Sequence, residues 1–353
     1  MNNLRYLYMK HFFLLFTLFA VISSVLGQNA SNLGLTLQQA PATLPQSKVP
    51  VVRPVQKPKV AAVTLLKQVQ VNDFLLTGGW ELAESSTVIA ADRSLFSPDL
   101  NTGNWYNATV PGTVLTTLVN QGVYPDPYYG VNNLVIPESL CRTDWWYRIV
   151  FRLPEGNNYK NTWLLFNGIN YKADIWLNGK QLGKIEGAFQ RGKFNATDLI
   201  HGGKGNILAV HILPPPNPGI PHEESPRAGT GPNGGQLCLD GPTFISSEGW
   251  DWVPGIRDRN IGIWQDVHLR FTDDASILDP QVITDLPLPD TTSVNLTVRI
   301  GLRNTSDKEQ QFTVNGKIEN IVFRKQVNLK AGEQANLVSV SYTHLTLPTI
   351  YSV

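Results

Sequence analysis

Trp250 and Trp252 flank Asp251 in EGWDWVPGIRDRNIGIWQDVHL (248–269), the densest aromatic cluster of the 353-residue chain. A ring edge beside a carboxylate acceptor is a combination that grips sugars. The C–H faces of a pyranose pack on the ring while its hydroxyls donate to the acid. Composition alone favours a structural reading of the same residues, because Trp is highly buried on average. On that reading Trp250, Trp252 and Trp264 are core aromatics and Arg257, Asp258 and Arg259 form a charge-paired turn.

Other chemistry is hard to find. The six histidines, His11, His201, His211, His222, His268 and His344, include no pair at i, i+4 around a Glu, so the helical zinc-protease motif is absent. GTGPNGG (229–235) is glycine-rich but continues into Gln236-Leu237-Cys238 where a phosphate loop needs Gly-Lys-Ser/Thr. No G-x-S-x-G elbow occurs. Glu223 and Glu224 are adjacent carboxylates, but neighbours on a strand point to opposite faces and loop pairs of this kind are usually solvated, so they are not assigned as a glycosidase pair. No catalytic residue, metal ligand or cofactor site is assigned.

The elements around this segment are short and extended. WYRIVFRL (146–153), TWLLFNGI (162–169), ADIWLNGKQLG (173–183), NILAVHIL (206–213) and GIWQDVHLRF (262–271) recur between turn signals with no helical blocks between them. Several alternate in the two-residue period of a half-buried strand. In ADIWLNGKQLG, Ile175 and Leu177 face one way and Trp176 the other, and Asn178-Gly179 supplies a tight hairpin turn. The pattern predicts an all-β protein: a jelly-roll β-sandwich over 73–275, opening near Asp73 with FLLTGGWEL. From 276 to 339, SVNLTVRIGLRN (293–304), QQFTVNGKIEN (310–320) and FRKQVNLKAGEQANLVSV (323–340) alternate again. They predict an incomplete immunoglobulin-like β-sandwich with room for about five strands, where the full domain has about seven.

Residues 1–27 read as a signal peptide, with Arg5 and Lys10 ahead of an apolar run from Phe12 to Leu26 and a small residue, Gly27, at the cleavage point. An apolar stretch of about 15 residues is short for a bilayer span of about 20. Gln28 stands where a lipoprotein would carry its cysteine, so the chain is expected to be secreted or periplasmic, with no membrane contact after cleavage. Residues 28–72, containing APATLPQSKVPVVRPVQKPK, read as a proline-rich linker and lead-in. Lys plus Arg (29) nearly balances Asp plus Glu (28), which gives no field to collect nucleic acid and suits a neutral partner such as a carbohydrate. Cys141 and Cys238 form no CxxC motif, and their spacing leaves open both two thiols and one disulfide.

Five segments together carry a family resemblance: VPGTVLTTLVNQGVYPDPYYGVNN (110–133), RTDWWYRIVF (142–151), FNGINYKADIWLNGKQLG (166–183), ILPPPNPGIP (212–221) and GWDWVPGIRDRNIGIWQDVHL (249–269). This resembles the N-terminal sugar-binding (β-mannosidase-like galactose-binding) domain of family 2 glycoside hydrolases, particularly the exo-β-glucosaminidase and plant-type endo-β-mannosidase branch. The resemblance implies that the domain packs beside a (β/α)₈ barrel, that Asp251 hydrogen-bonds substrate hydroxyls, and that Trp250 or Trp252 shapes the pocket wall. Arg257, Asp258 and Arg259 would brace the turn. The family's two catalytic carboxylates would sit on barrel strands, and that barrel is missing from these 353 residues. The chain is therefore expected to be the non-catalytic N-terminal portion of a secreted retaining β-glycosidase acting on mannosides, glucosaminides or related sugars. A stand-alone, lectin-like carbohydrate-binding protein is the alternative. Finally, residues 340–353 (VSYTHLTLPTIYSV) depart from the strand pattern and look like a translated sequencing adapter, so they are expected to be a non-native tail.

Overall fold

The computed structural model describes residues 55–60, 64–88, 93–130, 132–156, 159–216, 218, 257–290, 292–318 and 321–344. Strands dominate. In chain order they are β1 (Leu65–Gln70), β2 (Asp73–Gly78), β3 (Glu81–Glu84), β4 (Tyr106–Asn107), β5 (Trp145–Phe151), β6 (Asn161–Phe166), β7 (Lys172–Leu177) and β8 (Lys180–Glu186). There follow β9 (Gly192–Asn195), β10 (Asn206–Leu213), β11 (Val267–Thr272), β12 (Ala275–Asp285), β13 (Ser293–Asn304), β14 (Gln310–Ile318), β15 (Ile321–Leu329) and β16 (Gln334–His344).

The first eleven strands form two antiparallel sheets, ordered β1-β2-β11-β6-β9 and β4-β3-β5-β10-β7-β8. Their inner faces share one core that includes Leu82, Tyr147, Ile149, Phe166, Ile175, Leu208, Leu269 and Phe271. Burying each large apolar side chain contributes about 1.5–3 kcal/mol, which is what holds the sheets face to face. The hairpin expected at Asn178-Gly179 joins β7 to β8, with φ of 50° and 81° at the two turn residues. Ile175 and Leu177 enter the core, and Trp176 goes to the opposite face as the alternation requires.

The outer face of the six-stranded sheet is covered too. Leu95, Trp105, Phe96 and Leu100 lie over Ala83, Trp146, Ala209 and Trp176 in a second apolar cluster. This explains why WWYRIVF reads as a nearly continuous apolar run: Trp145 packs into the main core and Trp146 into the outer cluster, where its indole stacks on His211 with ring centroids 4.4 Å apart.

One boundary differs from the sequence expectation. The lead-in drawn through residue 72 contains β1, which pairs with β2 across Asn72, so the sandwich begins about eight residues earlier. LLKQVQ is too polar to announce itself, as befits a strand at the sheet's edge. Upstream, Lys57 N donates to the Gln121 carbonyl at 2.8 Å and Lys59 pairs with Glu81 at 2.8 Å, docking residues 55–60 on the sandwich. Among the described residues there is also one short α-helix, α1 (Val114–Asn120), capped by the Thr113 hydroxyl accepting from Thr116 N; seven residues are too few to show a helical period.

Beyond Asp274 a smaller pair of sheets, β12-β13-β16 and β14-β15, encloses Val298, Ile300, Leu302, Val314 and Leu329. FRKQVNLKAGEQANLVSV resolves into two strands separated by a turn at Gly332, whose φ is 72°. β16 does not stop at Ser339. It continues through Val340 to His344 along β13, as the edge of its sheet, so the expected break in strand pattern at 340 does not occur in the backbone. Residues 345–353 lie outside the described residues. Lys160–Asp274 (2.7 Å), Arg191–Asp279 (2.8 Å) and Lys193 Nζ to Ser276 Oγ (3.1 Å) tie the smaller unit to the larger.

Candidate functional site

Trp250, Asp251 and Trp252 lie outside the described residues, as do Glu223, Glu224 and Cys238. What the structure does describe is the base from which their segment rises. β10 ends at Leu213, Pro218 precedes residues 219–256, and Arg257 follows them. The turn at 257–260 leads through Ile261 and Ile263, both fully buried, into β11.

That turn is built on charge. The side chains of Arg257 and Arg259 are 2% and 0% exposed, and both grip Glu138, a carboxylate in the turn ahead of β5. Arg257 Nη1 and Arg259 Nη1 donate to Glu138 Oε1 at 3.1 and 3.2 Å, and Arg259 Nη2 donates to Oε2. The Nε donors meet backbone carbonyls: Arg257 Nε reaches Asn133 at 3.2 Å and Arg259 Nε reaches Pro218 at 2.7 Å. Arg259 therefore ties the residue before the 219–256 segment to the turn after it. Planar guanidinium forks suit this shared carboxylate, and one Lys in their place could not reproduce the geometry.

Asp258 adds a second buried carboxylate to the turn. Its carboxylate accepts from Leu115 N at 2.6 Å and from Asn260 N at 2.9 Å, joining the turn to α1. Complete burial pushes this carboxyl above its usual range, and the bonds to Leu115, Thr113 and Asn260 pull in the opposite direction. Arg259 and Asn260 hold φ of 53° and 55°, and Asn170 Nδ2 donates to both of their carbonyls at 2.8 and 3.0 Å, which stabilises the left-handed backbone. Gly262, at φ 151°, has room for no side chain: a Cβ there would sit 2.6 Å from the Gly112 carbonyl oxygen. The expectation that Arg257, Asp258 and Arg259 brace the turn matches this geometry. Glu138, the hub of the brace, carried no sequence signal, because its partners lie 119 and 121 residues away.

Cys141 sits one turn beyond Glu138 as a buried thiol whose Sγ donates to the Glu138 carbonyl at 3.1 Å, and burial raises its pKa. Trp264 is half-buried beside Phe189, with its Nε1 donating to the Ala188 carbonyl at 3.0 Å. Among the described residues no group of three or more His, Cys, Asp or Glu could hold a metal ion, and no helix is long and apolar enough to cross a membrane.

The glycosyl hydrolase 2 galactose-binding domain-like family matches residues 80–265, more than half of the chain. The chain belongs to that family. The exo-β-D-glucosaminidase of Streptomyces avermitilis is 29% identical over 284 residues, covering 77% of this chain and 28% of that protein. The mannosylglycoprotein endo-β-mannosidase of Lilium longiflorum is 33% identical over 219 residues, covering 60% of this chain and 22% of that protein. The crystal structure of the Amycolatopsis orientalis exo-chitosanase superposes with a TM-score of 0.62 at 27% identity, over 78% of this chain and 29% of that one. The chain thus spans about a quarter of the length of the curated relatives it matches. Its larger sandwich is the galactose-binding-like domain, and the matched residues run from Trp80, just ahead of β3, through the braced turn to Gln265.

Proposed function

We propose that this chain is the N-terminal, non-catalytic portion of a secreted or periplasmic retaining β-glycosidase that acts on β-mannosides, β-glucosaminides or related sugars. In this reading Asp251 hydrogen-bonds substrate hydroxyls and Trp250 or Trp252 forms a wall of the pocket, which a (β/α)₈ barrel completes. Family membership and relatives named glucosaminidase and mannosidase support the substrate class. The observation that carries the proposed role is the brace: Arg259 holds Pro218 and Glu138 together, so residues 219–256 start and finish on one fixed, charge-locked base. A site held within fractions of an ångström needs such support, and loops alone do not provide it.

Two measurements test this. Reading the gene beyond the last codon should reveal a barrel of about 250 residues with two carboxylates on its strand ends, about 5–5.5 Å apart in the folded enzyme. A stop codon with no such barrel defeats the proposal. Titrating the chain with β-mannose and glucosamine oligosaccharides should give millimolar or weaker binding, as expected of half a pocket. Micromolar binding would instead make it a lectin-like protein in its own right.

A further inference from the structure

A cleft of about 220 Å³ opens at one rim of the larger sandwich, lined by Glu84, Asn104, Tyr106, Tyr124, Thr143 and Trp145 among others. Register places the rim: Glu84 pairs with Trp145, and Trp145 pairs with Ile212, the penultimate residue of β10. The cleft thus opens at the end of the six-stranded sheet from which the chain leaves toward residues 219–256. Its walls include the ends of three strands. Glu84 ends β3, Tyr106 begins β4, and Trp145 begins β5 with its Nε1 donating to the Leu140 carbonyl at 3.3 Å.

Its polar groups are only partly used. Glu84 Oε1 accepts from Ser86 Oγ at 2.6 Å, which orients the carboxylate and leaves Oε2 as an acceptor. The Tyr106 and Tyr124 hydroxyls have no hydrogen-bond partner among the described residues. Burial, and then the electrostatic influence of Tyr106 and Glu84, push the Tyr124 hydroxyl above the usual tyrosine range, so it remains a proton donor. No Lys, Arg or His lines the cleft among the described residues, and an anion would meet only Glu84 there. The volume is below the roughly 300 Å³ at which drug-sized ligand sites begin, enough for one ring.

We infer that this cleft binds a single amino sugar of glucosamine type, its ammonium on Glu84, its hydroxyls on Tyr106, Tyr124 and Asn104, and its ring against the tyrosines. The carboxylate selects the cation by a charge-assisted bond, and the aromatic faces favour both the sugar C–H groups and the positive charge. This inference does not rest on the reading of Trp250, Asp251 and Trp252, because the groups that carry it are Glu84, Asn104, Tyr106 and Tyr124.

The test is a calorimetric or NMR titration of the Asp251→Ala chain with glucosamine, mannose and glucuronate. Glucosamine should bind saturably in the millimolar range and at least about tenfold more tightly than glucuronate. Glu84→Gln, which keeps the shape and removes the charge, should weaken it about tenfold, and Tyr124→Phe should weaken it severalfold, with circular dichroism unchanged. Equal affinity for glucosamine and glucuronate, no saturable glucosamine binding, or indifference to both variants would overturn the inference. If the unmodified chain binds glucosamine and Asp251→Ala alone abolishes it, the cleft is not the site, whereas the reading of the Asp251 turn survives.

Discussion

Replacing Glu138 by Ala removes the one carboxylate that both buried arginines share. Arg257 and Arg259, with side chains 2% and 0% exposed, would lose this shared partner, and the neighbouring Asp258 has oxygens already engaged by Leu115 N and Asn260 N. The variant takes one negative charge out of a buried cluster that holds two guanidinium groups. Breaking a buried pair in this way costs about 3–5 kcal/mol, because the stranded charge has lost its hydration as well as its partner. For a unit of about 200 residues each kcal/mol lowers Tm by about 2–4 °C, so the loss should be about 6–20 °C. Thermal and urea unfolding followed by tryptophan fluorescence would read it, with Glu155→Ala, at an exposed site, as a control that should move by no more than about 0.5 kcal/mol. Glu138→Gln should be intermediate, since it keeps acceptor geometry for one arginine and loses the charge. A shift below about 2 °C for Glu138→Ala would refute the claim that this cluster anchors the turn.

Other variants probe separate links in the same argument. Gly262→Ala should destabilise by at least about 1–3 kcal/mol in urea unfolding, because Cβ would collide with the Gly112 and Thr113 backbone at φ 151°; a neutral result would mean the turn relaxes freely. Asn178→Ala should cost about 1–3 kcal/mol by losing the φ 50° turn residue and side-chain bonds to Leu199, Asn206 and Ile207, with Asn178→Gly recovering only the backbone part. Burial alone would raise the Asp73 carboxyl, but bonds from His268 and Arg270 outweigh it and leave its pKa below the usual range. The stability it contributes is then present above the unfolded value near about 3.9 and lost as pH falls through the lower folded value. The gap in urea midpoint between the wild type and Asp73→Asn should accordingly close between neutral pH and pH values below about 3, and a gap constant with pH would contradict this. Nucleotides encoding residues 340–353 should match adapter sequence; genomic codons read in their place would make the continuation of β16 native.

The sequence announced the sheets better than the site. β10 appears over its full expected range because NILAVHIL is apolar on both faces and lies between two strands, and the β7–β8 hairpin followed from Asn-Gly alone. GIWQDVHLRF was read as one strand, yet only Val267 onward joins the sheet as β11. The first five residues of that stretch, 262–266, instead pass the braced turn, bridging to Asn170 with Gly262 in a conformation that patterning does not encode. β1 and α1 escaped notice because an edge strand needs little apolar surface and seven residues show no period. Glu138 is the instructive case. A carboxylate that meets its arginines across 119 residues of sequence has no local pattern, and its role exists only once β5 and the turn after residue 256 are side by side. The Trp-Asp-Trp reading rested on family likeness, and the structure contributes the foundation beneath it.

The most direct test of the account is kcat/KM of the full-length gene product on β-mannoside and β-glucosaminide substrates, wild type against Asp251→Ala. If Asp251 holds substrate hydroxyls in a desolvated pocket, its loss should cost about 1.5–3 kcal/mol of transition-state stabilisation, or about one to two orders of magnitude in kcat/KM. An unchanged kcat/KM, with circular dichroism reporting an intact fold, would contradict it and return the Trp250-Asp251-Trp252 turn to a purely structural role.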